Sequence, residues 1–373
     1  MNIDISLSQK EIQEILEKIY INKSGGMPKV LEYLFNWEMA SGYLTEGKLK
    51  DNLRFNYLDK LLNIRFKTQI NIARSNYSPK PLEGKNIPKL HCPICFENIG
   101  IPGKENLRAF SFELSPNRKF FVQMTPFPLF SHHAVLVSHE PVPMHVSVQS
   151  VIDLLNFVDQ CPGYIACSNS DVEWAGASIL SHHHYQVMKA VELPIFEADW
   201  AKSKSKSKSK SNGNGFNGGG LIKASLGEDL VLGFLNYPIA TIKIQSQCRE
   251  KLIKIAGAVI KAWKDQDIGQ NTFNILVKNK NQNEHSWSVY LILRNPAYRT
   301  PAELLKYKSE GVGVIEVAGE GIYPVPKGEE AEKMMYQIEH HGLDIIKGII
   351  AGNNPLAPEN WPVQFEKFKK FFV

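Results

Sequence analysis

Six consecutive residues, Ser181-His182-His183-His184-Tyr185-Gln186, gather the side chains best suited to chemistry in this chain. Read as a strand, alternate residues share a face, so His182, His184 and Gln186 project together and His183 and Tyr185 project away. An imidazole can attack phosphorus and hold it covalently. A carboxamide two residues further on can donate to phosphoryl oxygens without exchanging a proton. The pattern is therefore compatible with covalent phosphoryl chemistry on a histidine beside a carboxamide donor. Taken alone, three histidines read better as an incidental surface tract, so the surrounding sequence has to decide.

Cys92-Pro-Ile-Cys95 is the second spacing with chemical meaning. Five cysteines are too few, and odd in number, for a secreted disulfide framework. In a reducing compartment the pair points to metal or redox chemistry, zinc first, with a plain reduced pair as the bland alternative. Cys161, Cys167 and Cys248 read as ordinary buried thiols. Arg108 in NLRAF offers a planar donor fork that could clamp a phosphate, and reads equally as a surface charge. Gln123 in FFVQMTP could reach the site from its strand, or meet solvent.

The elements that must position these residues follow from periodicity. Residues 1–85 carry apolar side chains at helical spacing and read as a helical N-terminal extension, either a packing appendage or a cap over the site. Residues 86–200 change to short strand-like runs (KFFVQMTP, HHAVLVSH, YIACSN) around one helical stretch, VQSVIDLLNFVDQC, and contain the His cluster. Residues 201–220, AKSKSKSKSKSNGNGFNGGG, read as a disordered linker. Residues 221–350 repeat the strand–helix–strand pattern, and residues 351–373 read as a C-terminal tail. Two such halves predict a duplicated α+β unit, although no residue-level repeat is visible.

Composition narrows the partners. The net charge of +5 comes from Lys202, Lys204, Lys206, Lys208 and Lys210 in the Lys-Ser run, and without them the chain is formally neutral. A neutral body has no electrostatic footprint for nucleic acid. No apolar run approaches a membrane span, and the N-terminus reads as a capped amphipathic helix rather than a signal peptide. The expectation is a soluble cytoplasmic protein that binds neither nucleic acid nor membrane.

Context resolves the His tract. SNSDVEWAGASILSHHHYQ (Ser168–Gln186) resembles the signature of the second, Gram-positive type of galactose-1-phosphate uridylyltransferase, of the histidine-triad superfamily. CPICFENIGIPG (Cys92–Gly103) and FFVQMTPF (Phe120–Phe127) resemble further family motifs, as do NYPIATIKI, NTFNILVK, VYLILRN and GVGVIEVAGEGIYP, so the likeness runs over roughly residues 90–330. It implies an α+β fold of two histidine-triad-like halves with antiparallel sheets. It implies that His184 is the nucleophile and Gln186 the phosphoryl-oxygen ligand, with Asn169 and Ser178 near the phosphates. By analogy with the first type of uridylyltransferase it also implies a structural zinc on Cys92, Cys95, His139 and His182, with His133 and His145 competing for the place of His139. The substrates implied are a nucleotide sugar such as UDP-glucose and a sugar 1-phosphate, and family members are often homodimers. Inorganic phosphate as acceptor would make the same residues a nucleotide-sugar phosphorylase, and a protein that only binds nucleotide sugars is the non-enzymatic alternative. Val187 and Met188 replace the family's Gly-Gly after the Gln, Glu173 a Pro and Ala177 a Gly, and the family chain is longer. Those changes spare the nucleophile and leave base, sugar and acceptor open.

Overall fold

The structure is a computed structural model that describes residues 3–72, 92–176, 179–189, 191–203, 220–281, 284–308 and 311–372. Its main feature is a ten-stranded sheet made of two five-stranded units. The first unit contains β3 (Ala109–Ser115), β4 (Arg118–Met124), β5 (Ala134–Ser138), β6 (Tyr164–Ser168) and β7 (His184–Lys189). The second contains β8 (Lys223–Ser225), β9 (Leu230–Phe234), β10 (Thr241–Ser246), β11 (Thr272–Asn281) and β12 (Glu284–Arg294). The strand order β3-β4-β5-β7-β6-β11-β12-β10-β9-β8 gives each unit the same internal path. Three strands run as a meander, a helix follows, and the last strand returns between the third and the fourth. The helices are α4 (Val148–Gln160) and α5 (Arg249–Lys264), which pack side by side. The antiparallel pair β6–β11, with Cys167 opposite Leu276, joins the units edge to edge, so neither leaves that strand edge unpaired. The duplication read from the pattern of elements is thus present in the topology. The His-x-His-x-Gln pattern leads into β7, which begins at His184, and has no counterpart at β12, which reads EHSWSVYLILR.

Strand parity divides the core. On one face Phe110, Phe120, Val122, Leu136, Tyr185 and Val187 lie with the buried sides of α4 and α5. The same cluster takes in Ile12, Leu16, Leu31, Leu34 and Trp37 of α1 (Gln9–Ile21) and α2 (Met27–Ala40). The N-terminal helices therefore form a packing appendage behind the sheet, on the opposite face from His184. Ser8 caps α1 by a reciprocal capping box with Glu11, which satisfies two of the free N–H groups of its first turn.

Three expectations need correction. The extension is not helical throughout: a short α3 (Glu46–Lys50) is followed by a hairpin, β1 (Leu53–Asp59) and β2 (Ile64–Ile70). Asp59 accepts from the N–H groups of Leu61 and Leu62, and Asn63 takes a positive φ of 55°, so the apolar Leu61-Leu62 pair fills a turn. Secondly, β2 pairs in parallel with β13 (Glu320–Tyr323), so GEGIY leaves the second half to complete a three-stranded sheet with the N-terminal region. This sheet, α6 (Val314–Val317) and the long α7 (Ala331–Gly352) bury the other face of the main sheet around Met188, Cys167, Leu276 and Ile292. Thirdly, residues 351–373 are no loose tail: α8 (Trp361–Lys369) buries Trp361, Phe365 and Phe368, with Trp361 stacked on Phe234 at 5.2 Å. Of the linker, residues 204–219 lie outside the described residues, while Lys202 and Leu221 at its ends form a bridge. Among the described residues no helix is long and apolar enough to cross a membrane.

Candidate active site and metal centre

β7 is clamped between β5 and β6, with Val137 opposite His184 and both Val135 and Cys167 opposite Gln186. The alternation read from sequence holds: His184 and Gln186 share one face, and Tyr185 turns into the helix-side core. His184 is buried, and its Nδ1 lies 2.7 Å from the carbonyl oxygen of His182. Only a protonated Nδ1 can donate there, which leaves the lone pair on Nε2. Nε2 has no hydrogen-bond partner among the described residues and is not among the fully enclosed unpaired atoms. Burial also holds the imidazole's proton affinity below its ordinary value. The ring is thus a neutral base with a fixed tautomer and one available nitrogen, which is the state a nucleophile needs.

Gln186 is half-buried, and its Oε1 lies 3.0 Å from Nε2 of His133. Nδ1 of His133 accepts from the N–H of Leu129 at 3.3 Å. Gln123 is on the same sheet face: it pairs with Val135, which pairs with Gln186, so the two glutamines occupy one cross-strand row two strands apart. Its Oε1 is buried with no partner among the described residues. Asn169 follows β6 directly. Extending the β6–β7 register by two residues brings it alongside His184, and its Oδ1 accepts from the N–H of Val314 at 3.0 Å. That bond ties the site to the second half of the chain. Ser178 lies outside the described residues. Arg108 is elsewhere: its Nε and Nη2 donate to the carbonyl of Leu7, its Nη1 to those of Glu105 and Leu107, and its guanidinium stacks over Trp37. The expected phosphate clamp is an anchor for the N-terminal segment. A cavity of about 650 Å³ opens beyond β7, lined in part by Arg54, Lys67, Phe130, His132, Lys189 and Glu320, and it includes neither His184 nor Gln186.

Three of the four residues expected to hold a metal come together. Cys92, Cys95 and His182 bring their donor atoms within 4.8 Å of one another, and all three are buried. The two sulfurs stand 3.4 and 3.3 Å from Nδ1 of His182. Nε2 of His182 donates to the carbonyl of Ser138 at 2.8 Å, which aims Nδ1 at the sulfurs. Burial and the adjacent Cys92 thiol push the Cys95 thiol up to about 12, a state that a bound dication would reverse. Two thiols and an oriented imidazole in a dry pocket fit zinc. The loop that carries the cysteines packs through Ile94, Phe96 and Ile99 on Ala109, Phe121 and Val137, on His184's face of the sheet. His139 does not join the group: its ring lies against Phe96 at 5.1 Å and Phe121 at 6.2 Å. Its rivals are also occupied, His133 with Gln186 and the exposed His145 beside Asp171 at 3.7 Å. Sequence spacing alone could not sort three histidines that flank one strand and lie in the loop after it.

Two outcomes follow from this geometry. Gly176 has φ +90°, and a Cβ there would sit 2.5 Å from the Val312 carbonyl oxygen and 2.7 Å from Nη1 of the buried Arg294. Gly176→Ala is expected to lower stability by about 2–3 kcal/mol through backbone strain and overpacking, measured by urea unfolding. The second concerns His133, whose proton affinity burial lowers to about 4. Between about 6.5 and 4 the unfolded chain binds the proton that the folded chain excludes, so this stability is complete above 6.5 and is lost as pH falls. Stability from urea unfolding should fall more steeply between about pH 7 and pH 5 for wild type than for His133→Gln, by at most about 2 kcal/mol over that window. Equal slopes would refute the assignment.

Comparison with known proteins agrees with this geometry. A family model described as "Domain of unknown function (DUF4922)" matches residues 34–189, which include both the cysteine pair and the His cluster. The proteins named galactose-1-phosphate uridylyltransferase from Caldanaerobacter subterraneus subsp. tengcongensis and Clostridium acetobutylicum are 25% and 26% identical, over 96% and 78% of this chain. The one from Streptococcus pneumoniae, numbered 1 in its name, is 24% identical over 82%. The chain spans 69%, 60% and 64% of the lengths of these three relatives. Among solved structures, yeast Ap4A phosphorylase Apa2 superposes with a TM-score of 0.51 at 12% identity, covering 87% of this chain and 96% of that one. The same enzyme with AMP gives 0.50. The chain is thus similar, over most of its length, to bacterial proteins named galactose-1-phosphate uridylyltransferase, and it shares the α+β fold of the yeast phosphorylase.

Proposed function

We propose that this protein is a nucleotidyltransferase that moves a uridylyl group from UDP-glucose to a hexose 1-phosphate by double displacement through a nucleotidyl-His184 intermediate. The observation that carries the reading is the pairing of a lone pair on His184 Nε2, fixed by the Nδ1–H bond to His182, with the Gln186 amide on the same strand face. In the first step Nε2 attacks the α-phosphorus, and the bond to the bridging oxygen breaks. Glucose 1-phosphate leaves with that electron pair and needs no proton. The positive charge that develops on the ring is shared through Nδ1–H with the His182 carbonyl. Gln186 donates its amide N–H groups to the non-bridging oxygens, and Gln123, Asn169 and Ser178 serve as further polar contacts to the donor. In the second step a phosphate oxygen of the acceptor attacks, the N–P bond breaks, and the lone pair returns to Nε2. Splitting the transfer reuses one phosphoryl pocket for both sugars.

Cys92, Cys95 and His182 would hold a zinc ion that supplies a rigid cross-link two residues before the nucleophile. The reading includes a cytoplasmic setting, a nucleotide sugar and a sugar phosphate as partners, and a homodimer.

The test is the intact mass of the protein after mixing with UDP-glucose, GDP-glucose or ADP-glucose without acceptor. One added uridylyl group that maps to His184, and that is discharged by galactose 1-phosphate, is the expected result. An added guanylyl or adenylyl group discharged by inorganic phosphate would replace this reading by a phosphorylase. No adduct and no free monophosphate with any donor would end the covalent mechanism.

A further inference from the structure

A glutamine amide presents an acceptor on one side and two donors on the other, and only the donor side can serve a phosphoryl oxygen. Something has to decide which way Gln186 faces. We propose that His133 is a positioning residue that donates its Nε2–H to Gln186 Oε1 and so turns the amide NH₂ toward the reacting phosphoryl group. The inference rests on the nucleotidyl-transfer reading above.

The direction of the bond follows from its other end. Nδ1 of His133 faces the N–H of Leu129 at 3.3 Å and can only accept. The single ring proton is then on Nε2, and its partner 3.0 Å away has to be an acceptor, which on Gln186 is the oxygen. The assignment is therefore independent of how the two amide atoms are drawn. A flipped amide would set NH₂ against N–H. A doubly protonated ring would set N–H against the Leu129 N–H, and burial opposes that charge. The ring has little freedom: His133 is 5% exposed, and the Phe130 ring lies 6.2 Å away. Parity agrees as well. His133 immediately precedes β5, two residues before Val135, which pairs with Gln186, so it is on the same sheet face and diagonal to the glutamine. Gln186 Nε2 has no hydrogen-bond partner among the described residues. One end of the amide is thus held and the other is open for a ligand.

The test uses the full chain and four substitutions. His133→Phe keeps a ring and removes the donor. His133→Asn keeps an acceptor for Leu129 and is too short to reach Gln186. His133→Gln keeps a donor of similar reach. Gln186→Ala removes the group being positioned. The readouts are the single-turnover rate of nucleotidyl-His184 formation from UDP-glucose, donor affinity and Tm. His133→Phe and His133→Asn should slow adduct formation by about 10- to 100-fold, as loss of a supporting hydrogen bond does, with affinity changed by less than about threefold. His133→Gln should recover most of the rate. Adding His133→Phe to Gln186→Ala should slow it no further, because the positioned group is already gone. Wild-type rates in His133→Asn, or an equal slowing by His133→Phe with and without Gln186, would overturn the positioning role alone. A wild-type chain that forms no adduct at all would overturn the transfer reading, and this inference with it.

Discussion

His184→Gly abolishes the nucleotidyl adduct and lowers turnover by about 10⁴-fold or more, while donor affinity stays within about threefold of wild type. The asymmetry follows from what the residue does. Removing a nucleophile removes the first bond formed, and no described neighbour can replace it: His182 is turned toward the cysteines, and His183 is bonded to Tyr185 on the opposite face. The donor's base, sugar and phosphates still meet their own contacts, so the ground state binds much as before. A glycine in a clamped strand costs roughly 1 kcal/mol of stability, which a Tm measurement would register without loss of fold. Quench-flow detection of the adduct with titration of the donor separates the two quantities. A protein that only binds nucleotide sugars would give the same affinity in both forms and no turnover in either, whereas a transferase loses turnover in one step. Turnover that survived in His184→Gly would mean that the attack comes from another group.

Much of this site could be read before the fold was known, for a specific physical reason. A strand alternates its faces, so His-x-His-x-Gln predicts a shared surface, and β7 keeps that prediction for His184 and Gln186, while His182 precedes the strand and turns to the cysteines. The duplicated α+β unit was visible because each strand–helix–strand block has its own periodicity. What stayed hidden depends on contacts between distant segments. Nothing near His133 marks it as the partner of Gln186; the link exists because β5 and β7 pair, and it could have been found only by aligning HHAVLVS against HHHYQV as neighbours. Arg108 has a phosphate ligand's chemistry, yet the carbonyls of Leu7, Glu105 and Leu107 occupy its donors. The hairpin of β1 and β2 was missed because Leu61 and Leu62 lie in its turn and imitate a helical stripe. The small sheet of β1, β2 and β13 joins residues more than 250 positions apart (Lys67 opposite Glu320), and no local pattern announces such a pairing.

The metal centre carries the second large effect. The protein should contain zinc at one ion per chain by elemental analysis, and Cys92→Ser with Cys95→Ser should remove it. The argument runs through His182. This side chain has one nitrogen on the Ser138 carbonyl and the other facing the two sulfurs, and its own carbonyl oxygen is the acceptor that fixes the tautomer of His184. A metal bound at Cys92, Cys95 and His182 therefore immobilises the backbone group that sets up the nucleophile, and its loss should slow adduct formation by about 10- to 100-fold. Because such a site does not exist in the unfolded chain, metal binding adds directly to folding free energy, and the double variant should also show a clearly lowered Tm. Cobalt substitution supplies a readout apart from activity, since a tetrahedral thiolate site gives an intense ligand-field spectrum that the double variant would lack. His139→Ala separates the ligand sets: its ring packs on Phe96 and stands outside the group, so zinc content should survive this substitution. Metal lost from His139→Ala would restore His139 as the fourth ligand, and a wild-type chain with no stoichiometric metal would leave the cysteine pair as a reduced packing contact.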